Sequence, residues 1–168
     1  MAASSSPGPE LAGCIESRLA QLAEHAPRSA ALLQEQPALA AQARQVLLGS
    51  DFALRAMLRD DGALEALWRE GALAAPRSAA DYTQLAQALL ADETVHEPVA
   101  LQALLQLRGR EMLRLALRDL AGSAGIHQTL RETSWFADSM IVAATRMAAA
   151  LLAPRHGRPP PEAGELMV

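Results

Sequence analysis

The sequence predicts an all-α fold: an irregular helical bundle ending in a long antiparallel helix pair, followed by a short, truncated C-terminal strand. Three observations lead there. Half of the 168 residues are hydrophobic, yet Ala and Leu dominate and only 3% are aromatic. β-Branched residues never alternate over a useful length, so strands lack their raw material. The longest uninterrupted helical pattern, from about Glu97 to Ala121, carries two apolar wedges where an ordinary surface helix has one stripe. Leu101, Leu104, Leu105, Met112 and Leu115 form the first wedge; Val99, Leu113, Leu117 and Leu120 form the second. Two apolar faces require neighbours on both sides, which makes this the central helix.

The elements follow in order. Residues 1–9 are small, Ser-rich and Pro-rich and are expected to be disordered, and a helical domain spans 10–153. Its first helix puts Leu11, Ile15, Leu19 and Leu22 on one face and ends before Pro27, because the residue before proline is pushed out of the helical region. Ser29 is the expected cap of a short helix carrying Leu32 and Leu33. Pro37 fits the first turn of a third helix, which brings Leu39, Val46 and Leu47 inward and stops at Gly49. Ser50 or Asp51 caps a fourth, through Phe52, Ala56 and Leu58 or Met57. Asp60-Asp61-Gly62 breaks the chain, and Leu64, Leu67 and Trp68 mark a fifth helix that Gly71 closes. Pro76 lies in a loop.

Ser78 to Asp81 has the spacing of a capping box, followed by Tyr82, Leu85 and Leu89 at helical intervals. Thr94 to Glu97 repeats that spacing before the central helix, which Gly122 to Gly125 terminates. The last helix, roughly 126–153, has an expected inward stripe of Ile126, Leu130, Thr133, Ala137, Met140, Ile141, Ala144, Ala148 and Leu151. Its many alanines permit close antiparallel packing on one wedge of the central helix, and the short preceding helices are the expected occupants of the other. Pro154 is the expected stop. Residues 155–162 read as an extended Pro-rich linker, and Gly164 to Val168 as the beginning of a strand without partners.

Charge and cysteine content narrow the function classes. The formal charge is −4, from 15 basic and 19 acidic residues, and every one of the 15 is Arg. No basic run or tail favours nucleic acid. Cys14 is the single cysteine, which excludes an internal disulfide and fits a reducing compartment. The N-terminus lacks the charged and apolar segments of a signal peptide. The run Met140 to Ala153 is interrupted by Arg146 and falls short of the roughly 20 apolar residues of a membrane span. The expectation is a cytoplasmic protein without membrane contact.

Leu107 to Gly122, Leu130-Arg-Glu-Thr-Ser134, Ala143-Ala144, Gly164 to Val168 and the earlier Gly49-Ser-Asp-Phe52 together resemble one family. It is the N-terminal, adenylyl-removing part of glutamine synthetase adenylyltransferase/adenylyl-removing enzyme, and the resemblance extends from about Leu47 to Val168. It implies a bifunctional parent in which one nucleotidyltransferase half attaches AMP to glutamine synthetase and the other removes it by phosphorolysis. It also implies regulation by the signal protein PII. ATP and Mg²⁺ are implied for the full-length family only, the metal neutralising charge on phosphoryl oxygens. The family's strand runs into a Gly-rich turn and an Asp-x-Asp pair, neither of which lies in this sequence. The resemblance therefore implies that residues 154–168 are a Pro-rich linker and the start of a truncated nucleotidyltransferase domain. The chain then acts as a fragment that braces this catalytic domain, with no catalytic, cofactor or metal residue of its own. The alternative is a stand-alone helical adaptor that binds a protein.

Candidate contact residues sit on the two long helices. Arg110, Arg114 and Arg118, at i, i+4 and i+8, form a basic stripe between the wedges that either contacts phosphate or another domain, or is a solvated face with Glu111 paired locally. The expectation is that this stripe lacks a partner within the chain. Arg108 and Asp119 project into the first wedge, where a buried charge needs an opposite charge or a carbonyl. Trp135 falls opposite the expected apolar stripe of the last helix, as an interface anchor or a lone surface aromatic. His25, His96, His127 and His156 are scattered without zinc spacing, no Gly-x-Ser-x-Gly elbow is present, and Gly122 to Gly125 matches neither phosphate-loop pattern.

Overall fold

The structure, a computed structural model, describes residues 9–90 and 97–157. Among these residues there are helices and turns and no strand: α1 (Pro9–His25), α2 (Pro27–Glu35), α3 (Pro37–Gly49), α4 (Asp51–Arg59), α5 (Ala63–Arg69), α6 (Ala79–Leu89), α7 (Glu97–Leu120) and α8 (Ile126–His156). The expected N-terminal disorder, most of the Thr94–Glu97 box and the strand lead-in at Gly164–Val168 lie outside the described residues. The chain forms two compact units. One comprises the residues up to Ala75 together with Gly109–Ile126; the other comprises Pro76–Arg108 and the residues from His127 onward.

Local chemistry sets the boundaries in the first unit. Pro27 and Pro37 occupy the first turns of α2 and α3, where a missing N–H costs nothing and φ is already helical. Ser50 accepts from the Ala53 N–H at 3.2 Å and caps α4. Gly71, at φ 66°, closes α5 in a Schellman motif, with Ala72 N–H bonded to the Leu67 carbonyl and Gly71 N–H to that of Trp68, each at 3.0 Å. Ser29 is not the cap of α2. Ala26 holds that position and Ser29 is buried in the first turn. The Asp61 carboxylate, from the turn after α4, accepts the N–H groups of Arg28 and Ser29 at 2.9 and 2.8 Å. The Ser29 hydroxyl is engaged as a donor to the Asp61 carbonyl at 3.0 Å. A carboxylate at the positive end of a helix is the better acceptor, so a residue remote in sequence displaced the local one.

The core of this unit gathers Leu22, Leu39, Val46, Leu47, Met57, Leu64 and Leu67 from α1, α3, α4 and α5, with Leu113 and Leu117 from the second half of α7. Each fully buried aliphatic side chain contributes about 1.5–3 kcal/mol. The two-wedge expectation for α7 is met at Leu113, Leu115 and Leu117 of this half, which are buried. Val99, Leu101, Leu105 and Leu120 are exposed.

In the second unit the Ser78–Asp81 capping box forms as expected, with both reciprocal hydrogen bonds. Tyr82 packs on Phe136 of α8 with ring centroids 5.5 Å apart. The face that α8 buries is not the expected one. Glu132, Phe136, Ala143 and Met147 are buried, whereas Ile126, Leu130, Ala137, Ile141, Ala144 and Ala148 are exposed. The richer aliphatic stripe lost to one that offers Phe136 for the Tyr82 ring and a carboxylate for the turn before α6. Pro154 does not stop α8, which continues to His156. One missing N–H near a helix end loses a single bond, and Gly157, at φ 76°, makes the stop by donating to the Ala153 carbonyl at 2.9 Å. At 31 residues, α8 is long and apolar enough to cross a membrane by length and composition alone, unlike the shorter run read from the sequence.

The two candidate faces of α8 are separable by substitution. Phe136→Ala is expected to cost about 3–5 kcal/mol, whereas Ile141→Ala is expected to stay within about 0.5 kcal/mol. Urea titration followed by circular dichroism reads both. Equal losses would return the burial to the aliphatic stripe.

Candidate functional site

Backbone accounting explains what the basic stripe does. After the Schellman turn at Gly71, residues 72–75 leave helical geometry, and their carbonyls have no partner within a helix. The stripe on α7 supplies the donors. Arg114 donates from Nη1 to the carbonyls of Ala72 and Ala75, each at 3.3 Å, and from Nε to Glu111 Oε2 at 3.0 Å. Arg118 Nη1 donates to the Leu73 carbonyl at 2.7 Å. Arg110 Nη2 pairs with Glu70 Oε2 at 2.8 Å, at the start of the same segment. The three arginines fasten successive points of the α5 exit onto one helix.

Burial separates their roles. The Arg114 and Glu111 side chains are both 0% exposed, and the Arg110–Glu70 pair is partly open to solvent. The expectation of a stripe without partners in the chain therefore fails: the residues are bonded to the chain's own backbone and carboxylates. Solvation, the other reading, fails for Arg114 and Arg118, which are buried. The Glu111–Arg114 ion pair read from the i, i+3 spacing is present.

The other candidates are placed differently. Arg108 is exposed and Asp119 is half-buried, so the buried position expected for Arg108 does not hold; the wedge residues near it, Leu101 and Leu105, are themselves exposed. Trp135 is half-buried on α8. The sequence reading missed Glu132, which is 1% exposed. Its Oε2 accepts the Arg77 N–H at 3.0 Å and the Tyr82 hydroxyl at 3.4 Å, and its Oε1 accepts from Gln128 Nε2 at 3.0 Å. It thereby holds the entry to α6 against α8. Only its i+4 relation to Gln128 was visible beforehand, since Arg77 and Tyr82 lie 55 and 50 residues away.

Each of these clusters organises backbone; none pairs a nucleophile with a base. Among the described residues no three His, Cys, Asp or Glu side chains gather as a metal site would require.

The sequence pattern of one family, glutamate-ammonia ligase adenylyltransferase, matches residues 40–167. A similar curated protein is the bifunctional glutamine synthetase adenylyltransferase/adenylyl-removing enzyme of Thioalkalivibrio sulfidiphilus (strain HL-EbGR7), 35% identical over 115 residues. That alignment covers 68% of this chain and 12% of the relative, so the chain spans a small part of that relative's length. No solved structure matches.

The buried pair and the half-open pair are expected to respond differently to substitution. Arg114→Met strands the Glu111 carboxylate and should destabilise by about 3–5 kcal/mol, and Glu111→Leu added to it should restore part of the loss. Arg110→Ala should cost no more than about 1 kcal/mol. Denaturant midpoints at constant m-value check all three.

Proposed function

Because the chain belongs to the glutamate-ammonia ligase adenylyltransferase family, we propose that it is a helical segment bracing a nucleotidyltransferase domain, in an enzyme that adds AMP to or removes it from glutamine synthetase. The observation that carries this reading is the aliphatic face of α8. Leu130 is 57% exposed and Ile141 45%, and Val142 and Leu152 are exposed beside them. An apolar face of this extent suits a packed protein neighbour. In this reading α8 lies antiparallel to the first half of α7, Trp135 and the exposed Arg108 stand near the domain contact, and the protein works in the cytoplasm.

Mg²⁺ and ATP belong to the catalytic domain in this proposal, and PII to the regulation of the whole enzyme. No step through Mg²⁺ is placed on this chain in this proposal. Its contribution is positional: a rigid apolar face holds the catalytic domain without taking part in phosphoryl transfer.

The purified chain is expected to release no AMP from adenylylated glutamine synthetase in the presence of phosphate and Mg²⁺. A nucleotidyltransferase domain of the family supplied in trans should co-elute with it, and Ile141→Glu should weaken that binding by about tenfold or more. Turnover by the chain alone overturns the bracing role. Capture of glutamine synthetase without the domain would make the chain an adaptor instead.

A further inference from the structure

Glycine inside a helix gives up more backbone freedom than any other residue and adds no side chain to the packing. Local geometry accounts for four of the described glycines. Gly71, Gly122 and Gly157 have positive φ. A Cβ at Gly62 would crowd Arg28 Nη1 at 3.1 Å, whereas one at Gly49, the last residue of α3, would make only an ordinary contact with Leu120 Cδ1 at 3.7 Å. Gly125 stands in the turn before α8. Gly109 is different. It lies in the middle of α7 without a positive φ, and a Cβ there would meet nothing within 4 Å. Neither the backbone nor the packing asks for glycine at this position.

Its place in the chain is the second observation. The polypeptide passes between the two compact units three times: between Ala75 and Pro76, between Arg108 and Gly109, and between Ile126 and His127. The first passage lies in the irregular segment between α5 and α6, and the third directly follows the Gly122–Gly125 turn. Only the passage through α7 is uninterrupted helix. Resistance to reorientation through the connecting backbone therefore rests on that one stretch. From Arg110 onward the helix is fastened by Arg110 to Glu70, by Arg114 to Ala72 and Ala75, and by Arg118 to Leu73. The residue immediately before this clamped half is the one without a side chain. Gly13 has equally open surroundings but lies near the start of α1 within one unit, where bending displaces only the first turns of that helix.

We propose that Gly109 is a hinge, at which α7 bends and lets the two units reorient as bodies. A glycine inside a helix costs about 1 kcal/mol relative to alanine and so weakens the ladder locally, and a hinge needs only a few residues, often small ones, to absorb the change in φ and ψ.

Cys14 is exposed and is the chain's single cysteine, which makes a distance measurement direct. Spin labels at Cys14 and at Ser134→Cys, on exposed positions of α1 and α8, span the two units. Labels at Cys14 and Gln34→Cys stay within the first. The 14/134 distance distribution is expected to be broader than the 14/34 one, and Gly109→Ala should narrow it to the 14/34 width. Amide exchange at residues 109–113 should slow about fivefold in that variant, the factor corresponding to about 1 kcal/mol between Gly and Ala in a helix interior. A 14/134 distribution as narrow as the control in the unaltered chain, or one whose width Gly109→Ala leaves unchanged, overturns the hinge.

Discussion

The first unit depends on a guanidinium that has no access to water. Burying an arginine and a glutamate costs several kcal/mol per ion unless the remaining polar atoms find partners. Arg114 meets that condition with Glu111 on its own helix and with two carbonyls of the segment leaving α5. The carbonyls need donors because Gly71 has ended the helix, and the arginine needs acceptors because Leu113 and Leu117 beside it draw α7 into the core. Neither requirement can be met alone. The ion pair, the Schellman turn and the aliphatic packing are mutually dependent.

Much of the fold was legible in the sequence because its punctuation is local. Pro27, Pro37, Gly49, Ser50, Asp60-Asp61-Gly62, Gly71, Ser78-Asp81 and Gly122 end or begin helices through groups within a few residues of themselves. What was not legible depends on distant partners. Ser29 has a good local capping pattern and lost the role to Asp61, 32 residues away. The face of α8 followed Tyr82 and Arg77 rather than its own aliphatic density. Glu132 sits among Arg131, Thr133 and Ser134 in a polar stretch, and nothing in that neighbourhood distinguishes a buried carboxylate from a solvated one. The candidate site was half legible: the stripe and the Glu111 pairing were readable, but its acceptors were backbone carbonyls, which no residue type reveals.

The two units solve the same accounting problem with opposite charges. In the first, arginines on a long helix bind the carbonyls leaving α5; in the second, a glutamate on a long helix binds the Arg77 N–H entering α6. Both devices act on the segment that joins α5 to α6, on either side of Pro76. This connection packs Ala72 and Leu73 against the core and is held on either side of Pro76 by charged groups from long helices. Charge-assisted hydrogen bonds are directional and stronger than neutral ones, so they fix a loop path that aliphatic contacts would leave loosely specified.

This assignment of the charged groups constrains how the chain meets other proteins. A guanidinium already bonded to a carboxylate and two carbonyls would have to give up those bonds to hold an external phosphate, leaving buried oxygens unpaired at about 1–3 kcal/mol each. Arg114 and Arg118 are poor ligands for that reason, although their spacing first suggested otherwise. The exposed aliphatic face of α8 carries no such obligation, since its alternative partner is water, and covering it gains about 25 cal/mol for each Å² of apolar surface removed. Two of the residues whose spacing attracts attention, Arg114 and Arg118, are consumed by the fold. The α8 residues expected to form the core, Leu130 and Ile141 among them, are the exposed ones.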